Sequence, residues 1–167
     1  MVTQLSCLSY KSSIITNKAV IAAASNGHRD CLGYLIAQGA TLPYGATVAV
    51  TTGGHIECLK FLRDFDCPRD FDCVTVAAAA GNLSCLEYLL QVEYYIDDAA
   101  VLAAITKGYS HCLAAILQSL NPLRMSGKWV DIAVTKDKME CLKLLFRAGA
   151  PLDLRILHGG FRNAVPT

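Results

Sequence analysis

Charge is what this 167-residue chain has least of: 17% of its residues are Asp, Glu, Lys or Arg, against about 25% in an ordinary soluble domain. What charge there is nearly cancels, at a formal net of +1. That balance gives no electrostatic footprint for nucleic acid or for an anionic membrane, and neither is expected as a partner. Also missing is any apolar run approaching the roughly 18 residues that would span a bilayer. No glycine-rich phosphate loop, Ser–His–Asp order or paired-carboxylate motif occurs, so neither catalysis nor a cofactor is expected. Apolar residues make up 53% of the chain. A chain this apolar and this poor in charge is expected to have part of its surface covered by something else.

No acidic residue precedes Asp30, and the first 16 residues are rich in Ser and Thr. That composition weakly resembles an organellar transit peptide, although Lys11 and Lys18 are its only basic residues before Arg29. The more ordinary expectation is a polar N-terminal cap. Eight cysteines stand in a chain with no signal-peptide pattern. An intracellular reducing compartment, cytoplasmic or nuclear, is the expected location, with an organelle as the alternative.

What the sequence has in quantity is repetition. Cys31, Cys58, Cys85 and Cys112 follow one another at intervals of 27 residues, and Cys141 comes after 29. Four residues before each stands Gly27, Gly54, Gly81, Gly108 and then Asp137; directly after each stands Leu32, Leu59, Leu86, Leu113 and Leu142. A fixed period in this range marks a solenoid, each unit one supersecondary element that cannot bury its apolar face alone. Each unit predicts two short helices. The first carries small or apolar residues at i, i+3 and i+4, as in Val20, Ala23 and Ala24, Thr47, Val50 and Thr51, or Val74, Ala77 and Ala78. The glycine then ends it with a positive φ, and Asp137 must strain or end its helix differently. The second helix sets Cys58, Leu59, Phe61 and Leu62 inward and Glu57, Lys60 and Asp64 outward.

These units resemble ankyrin repeats: paired small residues, then Gly-His, then a leucine-rich second helix. "GHIECLKFLRDFDCPRDFDC" (54–73) is similar to the short, 27-residue ankyrin-like repeats of protists and large DNA viruses, with Arg69 in place of a joint tryptophan. His28 and His55 follow their glycines as in that family, whereas Asn82, Tyr109 and Lys138 depart from it. The resemblance implies an all-α, ankyrin-like solenoid of about five helix-turn-helix repeats over residues 17–157. Its helices are expected around 17–38, 46–65, 73–92, 98–119 and 128–148. It further implies that His28 and His55 tie adjacent turns together. Residues 1–16 are expected to be a cap or a degraded repeat, since "QLSCLSY" (4–10) echoes "NLSCLEY" (82–88), and residues 158–167 a tail.

Stacked helices lie about 8–10 Å apart, beyond the roughly 7 Å that a disulfide tolerates between Cα atoms. Cys31, Cys58, Cys85, Cys112 and Cys141 are therefore expected to form a reduced, buried ladder of small hydrophobes. The pair in "CPRDFDC" (67–73) has no second close pair to complete a zinc site, so it is expected to be a joint, with Asp70 and Asp97 capping turns or helix starts. His111 falls on an outer helical position.

The function that accompanies such an array is protein binding, through the joints and the exposed edge of the first helices. At the joints Tyr44, Arg69, Phe71, Tyr94, Tyr95, Arg124, Met125 and Trp129 are the candidates, because aromatics, Arg and Met are enriched in interface cores. On the helix edge the candidates are Ser25, Thr52, Thr106, Lys107, Thr135 and Lys136. The fourth joint, "SLNPLRMSGKWV" (119–130), is two residues longer than the others and points to the C-terminal half as the covered part. The competing expectation is that Trp129 fills the gap the insertion makes. The expected role is a non-catalytic scaffold, an accessory subunit held in a hetero-oligomeric assembly with partners of unknown identity. The alternative is an adaptor recruiting a target protein, for example to a ubiquitin ligase, and a thiol-based metal or redox protein is the weakest of the three.

Overall fold

The computed structural model describes residues 17–120 and 125–151, and among them every regular element is a helix. Five helix pairs follow one another. They are α1 (17–25) with α2 (Arg29–Ala37), α3 (Ala46–Gly53) with α4 (Ile56–Asp64), α5 (Cys73–Ala80) with α6 (Leu83–Gln91), α7 (Asp98–Lys107) with α8 (Ser110–Ser119), and α9 (Gly127–Thr135) with α10 (Met139–Arg147). The substantial helix–helix contacts fall within a pair or between adjacent pairs, odd helix on odd and even on even. The result is an all-α solenoid of two layers, with the core between them.

Small side chains let the odd helices approach. Helix α5 buries Cys73, Val74, Ala77 and Ala78 along one stripe, against α3 on one side and α7 on the other. The even helices supply bulk: Leu59 and Leu62, Leu86 and Leu89, Leu113 and Ile116 are all buried. At about 25 cal/mol per Å² of apolar surface, this alternation of small and large layers carries the stability, since each repeat is too short to hold helices by propensity alone.

Two left-handed residues per repeat terminate the helices. Gly81 ends α5 at φ +75°, and Asp137 ends α9 by adopting φ +53° itself. Aspartate tolerates that region better than most residues, so the helix stops at the same register without glycine. The even helices end likewise eight residues past the ladder cysteine, at Gly39, Asp66, Glu93 and Gly149, all with positive φ. The fourth repeat breaks this rule. Leu120 stands at that position with φ −85° and ψ 143°, and the chain leaves α8 extended. A leucine is disfavoured in the left-handed region, which accounts for a longer joint at this point.

The cysteine ladder holds for Cys58, Cys85, Cys112 and Cys141, which are buried, but Cys31 is exposed. Cys31 instead lies in an open hollow with Ala19, Ala22, Tyr34 and Leu35. The expected cap at 1–16 and the tail at 158–167 lie outside the described residues.

Candidate protein-binding surface

The turn between the two helices of each repeat is stitched to the turn before it. His55 Nε2 lies 3.0 Å from the carbonyl of Ser25. Asn82 does the same work with its carboxamide, donating Nδ2–H to Thr51 O at 2.7 Å and Thr52 O at 3.0 Å. In the fourth repeat Tyr109 stacks against the Gly81 backbone, and His111, assigned from sequence to an outer position, reaches back to Gly81 O at 3.3 Å. Lys138 then packs on Gly108. The departures from Gly-His at Asn82, Tyr109 and Lys138 are substitutions within one contact. His28 has no described turn before it to reach.

The joints are held by side chain to backbone bonds. In "CPRDFDC", Asp70 Oδ2 accepts the Gly45 N–H at 3.0 Å, in the preceding joint, so it does not cap its own helix. Asp97 does cap its own, accepting from Ala100 N at 2.9 Å, and takes the Thr75 hydroxyl as well. Thr47 Oγ1 lies 3.5 Å from Cys67 Sγ and 3.4 Å from the Pro68 carbonyl. Among the described residues no group of three His, Cys, Asp or Glu is placed to hold a metal ion, and the described cysteines are free thiols. Burial pushes the thiols of Cys85 and Cys112 up to about 11. Cys73 rises to about 12, through burial and then the nearby Asp70 carboxylate. Such groups stay protonated at neutral pH and are poor nucleophiles.

On this frame the partner-facing candidates separate. Tyr44 and Phe71, one period apart at the tips of consecutive joints, are 75% and 86% exposed, and Tyr95 is 64% exposed. Lys107 and Lys136 are exposed at the ends of α7 and α9, as are Ser25, Thr52, Thr106 and Thr135. The hydroxyls of Ser25, Thr52 and Thr135 are donated to carbonyls of their own helices. Tyr94 is half-buried against the core, with the Arg69 guanidinium 5.4 Å from its ring centre. Trp129 is 1% exposed and Met125 is half-buried against the core. Trp129 is thus a core residue: it takes the place in α9 that Cys73 holds in α5 and Ala100 in α7. Arg124 lies outside the described residues.

Stacked helix pairs with short joints, a left-handed residue at each turn and a continuous two-layer core define a repeat solenoid. The particular fold is that of an ankyrin repeat domain. The human ASB11 ankyrin repeat domain matches with a TM-score of 0.65, over 79% of this chain and 69% of that one, at 20% identity. No family model and no curated protein matches the sequence. No helix among the described residues is long and apolar enough to cross a membrane.

Proposed function

We propose that this solenoid is a non-catalytic protein-binding scaffold, an accessory subunit that presents its joint edge to a protein partner within a larger assembly. The observation that carries this reading is the pair Tyr44 and Phe71. Two large aromatic side chains stand in water at equivalent tips of adjacent joints, on backbone that is fixed by the Asp70 to Gly45 bond between those joints. Rigid, exposed aromatic side chains lose little entropy on binding and gain most from desolvation, which is why they dominate interface cores. The low charge of the whole chain supports the same reading.

Affinity purification and size-exclusion chromatography of the full chain from its native source test it, with the co-eluting protein identified by mass spectrometry. The double change Tyr44→Ser with Phe71→Ser is expected to release the partner while leaving the helical circular dichroism unchanged. A chain that elutes alone at every concentration overturns the assignment.

A further inference from the structure

Arginine occupies two positions in the second repeat that are apolar in every other repeat. Five residues after the ladder cysteine stand Ile36, Arg63, Leu90, Leu117 and Phe146. Eleven residues after it stand Leu42, Arg69, Ile96, Leu123 and Leu152. The two exceptions border one cleft, of about 430 Å³, between the second and third repeats, together with Asp66, Cys67, Tyr88 and Tyr94. The ion pairs among the described residues are Lys60–Glu57 and Lys143–Glu140, and neither guanidinium belongs to one.

Structural uses account for these residues only in part. Arg63 sits in the last turn of α4, where a cation complements the carbonyl end of the helix. Helix α10 meets that need one position later with Arg147 and keeps Phe146 at the apolar place. Stacking on Tyr94 orients Arg69, yet Leu42 and Ile96 close the neighbouring joints against the core without any charge. Two guanidiniums in place of apolar side chains border one cleft, exposed and in no ion pair, which leaves their charge open to an incoming anion.

We propose that this cleft receives an acidic side chain of the partner protein, with Arg63 and Arg69 taking its carboxylate and Tyr88 and Tyr94 walling its stem. The proposal rests on the protein-binding reading and names the chemistry of one contact within it. A planar guanidinium fork matches a carboxylate in geometry, and such charge-assisted bonds are about twice as strong as neutral ones. Two guanidiniums set against the Asp66 carboxylate leave a local surplus of one positive charge, suited to a single carboxylate and not to a polyanion. The phenol of Tyr94 reports the same environment: burial, the largest influence, raises its pKa, while the charges of Arg69 and Arg63 pull against the rise.

The test is an NMR titration of the isotope-labelled full chain with a short Gly/Ser peptide carrying two glutamates, beside its glutamine twin and inorganic phosphate. The glutamate peptide is expected to shift the arginine and Tyr94 signals at a concentration at least about tenfold lower than its twin. The double change Arg63→Leu with Arg69→Ile installs the residues of the next repeat. It is expected to abolish that difference while the melting temperature stays or rises, and Arg69→Ile alone serves if the double variant fails to fold. Equal binding of the two peptides, an unchanged difference in the variants, or preference for phosphate over the peptide overturns the proposal. A partner captured equally by wild type and the double variant removes the acidic contact but leaves the scaffold reading; failure to capture any partner removes the scaffold reading while the titration still reports on the cleft.

Discussion

His55 Nε2 lies 3.0 Å from the backbone carbonyl of Ser25, thirty residues earlier, and joins the turn of the second repeat to the end of α1. Asn82 reaches the carbonyls of Thr51 and Thr52 in the same way one repeat on. Carboxamide and imidazole are thus alternative donors for one position. We predict that His55→Ala lowers stability by about 1 kcal/mol, the worth of a typical intramolecular hydrogen bond, and that His55→Asn recovers most of it. Urea denaturation of both variants measures this, and equal losses in the two would show that the ring acts by packing alone.

Gly81 is held twice, by its φ of +75° and by the Tyr109 ring. A Cβ at this position would meet three ring carbons at 3.0–3.1 Å. Gly81→Ala is expected to lose about 1–2 kcal/mol from the backbone alone, and more from the ring contact. Combining it with Tyr109→Ala should lose less than the sum of the two changes, because the contact is shared. Additive losses would mean that the ring moves aside freely.

Leu86 is fully buried at the centre of the array. Truncation to alanine leaves a cavity and is expected to lower stability by about 2–5 kcal/mol. Since contacts run mainly between neighbours, hydrogen exchange should quicken first in α5 to α8 and later in α2. Uniform quickening along the chain would contradict a nearest-neighbour solenoid.

The thiols provide a graded test. In a Cys7→Ser background Cys31, exposed, is expected to react with a thiol reagent before Cys58, Cys85, Cys112 and Cys141, which are buried. Alkali provides a second measurement. The ordinary pKa of 9.0 is raised to about 11 at Cys85 and Cys112 and to about 12 at Cys73. The unfolded chain therefore releases protons that the folded one keeps, and stability is full below pH 9 and declines as the pH climbs from about 9 towards 12. A Cys85→Ala, Cys112→Ala double variant should show a shallower decline over that window. An identical slope would place the alkaline loss elsewhere.

The period, the two helices per unit and the turn at Gly27, Gly54, Gly81 and Gly108 were legible from the sequence because they depend on local chemistry: apolar spacing, and a residue free to take positive φ. Burial at the ends and seams was not, because it depends on what lies opposite. Cys31 carries the same local pattern as Cys58, yet the first is exposed and the second buried. Trp129 reads by composition either as a contact residue or as a filler of the longer joint, and only the packed structure shows it buried. Asp66 and Glu93 end their helices in the register of Gly39 and Gly149, but an acidic residue does not by itself signal a left-handed turn as a glycine does. Arg63 and Arg69 break the apolar columns of their repeat in the sequence itself, but that they share a cleft is a property of the packed structure.

The stitching at the turns also bears on how such an array can change over generations. The His55 ring covers Gly27 and Gly53, the Asn82 carboxamide covers Gly54, and the Tyr109 ring covers Gly81, so each turn is shaped to its successor. Excision of the third unit by unequal crossing-over would bring a phenol ring onto Gly54, where a carboxamide now fits. Duplication of the second would set an imidazole there instead. The leucine column to which Leu59, Leu86 and Leu113 belong would keep its pattern through either event. Gain or loss of a unit would therefore be felt first at the seams, where the ring or amide on each glycine changes, and not in the leucine core.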